Sequence, residues 1–148
     1  MDLYQLLKQD HQKAKRLFEQ LSETSARAVK SRERLFAQLR QELELHTEVE
    51  EEHFYPALRD EEETKDLVET ALDEHDEVKE LLEELDGADK EDESWSERLA
   101  ELQDSVEHHV EEEETQLFPA AQRVLKKEKT EEIASAIEKE KEAAQKSR

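Results

Sequence analysis

Four of the six histidines, His11, His46, His75 and His109, fall on apolar stripes in four separate segments of the chain. His11 lies four residues after Leu7 and seven before Phe18, and His46 lies seven after Leu39 and three after Leu43. His75 falls four after Ala71 and seven before Leu82, and His109 three after Val106 and seven after Leu102. Steps of three, four and seven return to one helix face, so each helix aims one imidazole at a common core. Glu50 and Glu113 stand four residues after His46 and His109. An i,i+4 step rotates about 40° and rises about 6 Å, so each His-Glu pair shares a face. A buried carboxylate without a partner is costly, and a cation between the helices removes that cost. Four imidazoles and two carboxylates suit two first-row metal ions, each taking two His and sharing both Glu as bridges.

The other candidates read differently. His108 is rotated about 100° from His109 and faces solvent. His53, seven residues after His46, points inward as a packing or supporting residue. The Glu runs at 50–52, 61–63 and 111–114 are solvated faces apart from Glu50 and Glu113. Lys15 and Lys79, one turn after His11 and His75, extend their stems over the core and their charge to solvent.

Four amphipathic helices must position these groups. The first runs from Asp2 to Leu21 and opens with a capping box of Asp2 and Gln5. The second runs from Ser31 to Arg59, with Leu35, Leu39, Leu43, Phe54 and Ala57 inward. The third runs from Thr64 to Leu85, with Gly87 as its C-cap. The fourth opens at Ser94 with a second capping box to Glu97, and reaches Val124. Short polar connectors make neighbours antiparallel, so the expected fold is all-α, an up-down-up-down four-helix bundle over residues 1–125. Residues 126–148 form a charged tail, a marginal helix with Ile133, Ala136 and Ile137 as its apolar stripe, docked or loose.

The bundle is one helix pair used twice. Residues 70–85 overlay 6–21 at an offset of 64, matching His75 with His11 and Lys79 with Lys15. Residues 97–120 overlay 34–57 at an offset of 63 without a gap, with nine identities that include His46/His109, Glu50/Glu113, Glu51/Glu114 and Pro56/Pro119. A lone inward His is usually a core residue. Four of them with two inward Glu, each matched by its repeat partner, point to a metal site.

Composition narrows the function classes. With 43 acidic against 22 basic residues, the net charge of −21 repels a nucleic-acid backbone. No apolar run approaches a membrane span, and the N-terminus does not read as a signal peptide. The absence of cysteine removes disulfides, thiolate metal sites and cysteine nucleophiles. A cytoplasmic location is the expectation. The 44% charged composition alone would allow disorder, but the helical periodicity argues for a core.

The strings DHQKAKRLFEQL, LHTEVEEEHFYPAL, EHDEVKELLEEL and HHVEEEETQLFPAA resemble the hemerythrin-like family, the HHE cation-binding domain. The resemblance covers about residues 2–125. It implies a left-handed four-helix bundle around a non-haem di-iron centre, two irons bridged by oxo or hydroxo. It also implies His11, His46, Glu50, His75, His109 and Glu113 as the ligands. Oxygen-carrying hemerythrins have a fifth His one turn after the helix 3 ligand and His-x-x-x-x-Asp on helix 4. Here Lys79 and His109-x-x-x-Glu113 stand instead, which argues against reversible oxygen carriage. Relatives that repair iron centres carry a cysteine, absent here, and the His-then-Glu order differs from the Glu-x-x-His of ferritin-type bundles.

Three classes follow in order. The first is a small di-iron enzyme acting on peroxide, oxygen or nitric oxide, with catalase-like disproportionation favoured. The second is a non-catalytic protein sensing or carrying oxygen, nitric oxide or iron, and the third is a structural acidic bundle with an adventitious cation. The expected partners are small ligands, without nucleic acid or membrane.

Overall fold

With one Gly and two Pro among 148 residues, little interrupts helix formation by the abundant Glu, Leu, Lys and Ala. In the computed structural model, which describes residues 1–146, every regular element is helical. The elements are α1 (Leu3–Ser22), α2 (Val29–Val49), α3 (Lys65–Asp86), α4 (Glu93–Glu112), α5 (Phe118–Val124) and α6 (Lys127–Lys146). The α1 capping box forms as expected: Asp2 Oδ1 accepts from the Gln5 amide at 3.0 Å, and the Asp2 amide donates to Gln5 Oε1. Gly87 ends α3. The expected box at Ser94 is replaced, because Asp92 takes the N-cap of α4 and accepts from the Ser94 amide at 3.2 Å. Asp caps as well as Ser, and its charge complements the helix N-terminus.

The expected second helix, 31–59, does not run straight. α2 stops at Val49, a π-helical turn covers Glu50–Phe54, and a 3-10 turn covers Tyr55–Ala57. The repeat does likewise: α4 passes into a π-helical turn at Glu113–Leu117 before α5. The Tyr55 amide reaches back five residues to the Glu50 carbonyl, and the Phe118 amide to that of Glu113. The prolines explain this. Pro56 and Pro119 lack an N–H, and their rings would clash with the carbonyls of Glu52 and Thr115 four residues back, so the turn widens by one residue. Each side chain beyond the turn is rotated relative to a straight helix.

α1 packs chiefly on α2, and α3 chiefly on α4. Their buried apolar residues form two clusters. One gathers Leu3, Leu7, Phe54, Tyr55, Leu117 and Phe118, and the other Phe18, Leu39, Leu82, Trp95 and Leu102. The second end is clasped by Arg32, which lies over Trp95 and donates to the carbonyls of Lys90 at 2.6 Å and Thr24 at 3.2 Å. That guanidinium ties the α1–α2 connection to the α3–α4 connection. α6 docks on the first cluster through Ile133, Ala134 and Ile137, while Ala136, expected inward, is only half-buried. Burying each isoleucine contributes about 1.5–3 kcal/mol, enough to hold a helix of weak intrinsic stability. Of the expected tail, residues 147 and 148 lie outside the described residues.

Candidate metal centre

Between the two apolar clusters lies a layer of polar side chains. The structure brings together all six residues singled out from the sequence: His11, His46, Glu50, His75, His109 and Glu113 are all buried. They form two groups, His11, His46, Glu50 and Glu113 in one and Glu50, His75, His109 and Glu113 in the other. Within each group, one donor atom per residue lies within 4.8 Å of the rest. The two carboxylates belong to both groups, as bridging would require. The inward nitrogens meet them closely. His11 Nε2 is 3.1 Å from Glu113 Oε1, His46 and His75 Nε2 are each 3.2 Å from Glu50 Oε1, and His109 Nε2 is 3.3 Å from Glu113 Oε2.

Each imidazole is held from behind by a carboxylate. The Nδ1–H of His11 donates to Glu114 at 2.6 Å, that of His46 to Asp10, His75 to Glu51 and His109 to Glu74, each at 2.8 Å. A carboxylate accepts only from N–H, so all four rings carry their proton on Nδ1 and turn the Nε2 lone pair inward. The supporting groups are themselves repeat partners, since Asp10 and Glu74 are 64 apart and Glu51 and Glu114 are 63 apart.

This geometry tests whether the residues suit a metal. The Nε2 atoms of His75 and His109 face each other at 3.2 Å, two lone pairs that need a cation or proton between them. Glu50 Oε2 and His46 Nε2 are buried without a hydrogen-bond partner. The carboxylates around three of the rings also favour their charged form. Burial alone would pull the His46 imidazole down, but Glu50 and Asp10 push it up to about 10. Burial likewise opposes protonation of His11 and His109, and is outweighed by Glu113 and Glu114 for the first and by Glu113, Glu50 and Glu74 for the second. Burial would raise Glu50, yet His46, His109 and His75 hold it well below the usual carboxylate range. The layer is a cavity-sized set of nitrogen and oxygen donors whose charge a cation would balance. The donor set fits iron or a similar first-row metal.

One further group enters the layer. The Tyr55 hydroxyl is buried, donates to Glu113 Oε2 at 2.6 Å, and sits 3.1 Å from Glu50 Oε1 and 3.2 Å from His75 Nε2. Burial and the two glutamates raise its pKa well above the usual phenol range, so it stays a neutral donor. On a straight helix Tyr55, nine residues after His46, would lie about 180° from it; the π-helical turn swings it in. The duplicated Tyr/Phe-Pro at 55–56 and 118–119 was the available signal.

Several expectations need correcting. Glu51 and Glu114, assigned to solvated runs, are about 70% buried, since their side chains are only 29% and 30% exposed, and they orient His75 and His11. Asp10 and Glu74 directly precede His11 and His75, but each supports a histidine on a neighbouring helix. His53 does not reach the layer: its side chain is 26% exposed, and its Nε2 lies 3.0 Å from Glu140 of α6. His108 is exposed, as expected from its facing. Lys79 pairs with Glu51 at 3.2 Å, and Lys15 is exposed.

A cavity of about 20 Å³ adjoins the layer, touching all four histidines and walled by Ala14, Leu43, Val78, Val106 and Val110. That is room for a water-sized molecule. Among the described residues, no helix is long and apolar enough to cross a membrane.

Residues 2–121 match the family model for the Hemerythrin HHE cation binding domain. The chain is 32% identical over 138 residues to a protein named DNA nickase from Nostoc sp., covering 91% of this chain and 38% of that protein. It therefore spans well under half the length of that relative. It is similar in fold to the crystal structure of a Hemerythrin HHE cation binding domain-containing protein from Mycobacterium kansasii, with a TM-score of 0.82 and 27% identity, covering 97% of this chain and 90% of that one.

Proposed function

Because this chain belongs to the hemerythrin HHE cation-binding family, we propose that it is a non-haem di-iron protein that disproportionates hydrogen peroxide. His11, His46, His75 and His109 with Glu50 and Glu113 are its ligands, in an up-down-up-down antiparallel bundle. The observation that carries the reading is the convergence of four Nε2 lone pairs on two shared carboxylates, with every Nδ1 tied to an acid. The short connectors after α1 and α3, and the pairing of α1 with α2 and α3 with α4, support the antiparallel arrangement.

When bound, a pair of irons held by these residues would supply two-electron redox chemistry and Lewis acidity toward an oxygen ligand. The protein does the rest. The four Nδ1 contacts fix ring orientation, so the nitrogens need no rearrangement on loading. Tyr55 donates its one proton to Glu113 Oε2 at 2.6 Å and so restrains that carboxylate. The aliphatic wall of the small cavity excludes bulk water and limits entry to molecules of a few atoms, which fits peroxide, oxygen and nitric oxide. The same cavity favours a second reading, a non-catalytic centre that senses or carries oxygen or nitric oxide. The net charge of −21 argues for small ligands over nucleic acid, so the activity named for the Nostoc relative is not carried to this chain. A cytoplasmic location fits the cysteine-free composition.

The deciding experiment is oxygen evolution from hydrogen peroxide by iron-loaded protein, with free iron and a Glu50→Ala variant as controls. Two peroxide molecules should yield two waters and one oxygen, over many turnovers. Evolution no faster than with free iron would overturn the enzyme and leave the ligand-binding reading.

A further inference from the structure

α6 reaches the metal layer through one side chain. Lys141 Nζ lies 2.5 Å from Asp10 Oδ1, while the other oxygen of the same carboxylate accepts from His46 Nδ1 at 2.8 Å. Asp10 is 6% exposed and Lys141 18%, so water screens this chain of contacts weakly. A second contact, Glu140 to His53 at 3.0 Å, ties α6 to the π-helical turn three residues beyond Glu50. Among the described residues the repeat has no counterpart: Glu74, which supports His109, faces His108 at 3.4 Å and Glu112 instead of a lysine.

We propose that Lys141 is a positioning residue for the metal site of the first half, acting through Asp10 on His46, so that docking of α6 makes the two metal positions unequal. A carboxylate shared with an ammonium is fixed in one rotamer and donates less charge to the imidazole it holds. Losing Lys141 frees Asp10 to rotate, and His46 loses its fixed orientation. The ring it fixes is the one whose Nε2 is buried without a hydrogen-bond partner. α6 stays docked without the lysine, because Ile133, Ala134 and Ile137 hold it.

The proposal rests on the six-ligand reading above, and the test separates the two. Cobalt(II) is titrated anaerobically into the full chain, and its visible d–d absorption and stoichiometry are followed. Wild type should take up two ions in two distinguishable steps. Lys141→Met should weaken one step on the order of 10-fold and change its absorption, with the other step unmoved. Lys141→Arg should restore it, and Lys139→Met should match wild type. Ile137→Ala, which loosens α6 by packing alone, separates charge from docking: the spectral change must be larger in Lys141→Met. Two unchanged steps in Lys141→Met, or an equal change in Lys139→Met, would overturn the role of Lys141. Failure of wild type to bind cobalt would instead overturn the metal centre itself.

Discussion

His75 faces a tyrosine hydroxyl where His11 faces a phenylalanine ring. Tyr55 and Phe118 are repeat partners, 63 residues apart, each one step before a proline and each delivered by a π-helical turn. Phe118 stacks on His11 with ring planes 7° apart, and Tyr55 tilts 35° to His75 so that its oxygen reaches Glu113. In the first half, Lys141 neutralises Asp10; in the second, Lys79 pairs with Glu51. The two copies thus share candidate ligands and the carboxylates behind them, and differ in one hydroxyl and in where a lysine sits. Duplication supplies a near-symmetric set of donors, and single substitutions give its two groups different surroundings.

The largest effect should come from what both halves share. Glu50→Ala and Glu113→Ala should each abolish binding of both irons and lower the thermal stability of iron-treated protein by the full linkage contribution, about 4 kcal/mol where the metal stands at a thousand times its Kd. Metal analysis and thermal unfolding check this. Retention of two irons by either variant would mean the carboxylate does not bridge. His46→Ala and His109→Ala should each cost one position and leave the other, which separates the halves directly.

Next come the supporting acids. Asp10→Asn and Glu74→Gln should each weaken one position roughly 10- to 100-fold, read in a metal titration, and the affected position should differ between the two variants. If both weaken the same step, the pairing of halves drawn here is wrong.

These supporting groups show how far the sequence reached. The helices, the duplication and the six converging side chains were legible because periodicity at three and four residues reports facing directly. Glu51, Glu114, Asp10 and Glu74 were not, since each lies about 100° from a residue on the stripe and works across an interhelical gap that one helix's pattern cannot describe. Tyr55 was hidden for another reason. Helical phase is counted at 100° per residue, and a turn widened ahead of a proline breaks the count. Asp92 in place of Ser94 is a smaller matter, one good cap preceding another.

Tyr55→Phe makes the two halves alike at that position. It removes the donor to Glu113 Oε2 and should destabilise the metal-free protein by about 1–3 kcal/mol, measured by denaturant unfolding. The loaded protein should lose part of its peroxide activity while retaining both metals. Unchanged stability and activity would leave the hydroxyl without a role.

The smallest effects belong to the surface. Lys79→Met and His108→Ala should change metal content and thermal stability within about 0.5 kcal/mol, because both side chains are exposed on their helices. A large loss of metal from either would show that the inward faces have been drawn wrongly.

Iron content together with near-ultraviolet absorption of the oxidised protein tests the central claim most directly. Protein reconstituted anaerobically with iron and then exposed to air should hold two irons per chain and show the charge-transfer bands of an oxygen-bridged diferric pair. Protein holding one iron or none, or two without those bands, would contradict a shared-carboxylate centre built from His11, His46, Glu50, His75, His109 and Glu113.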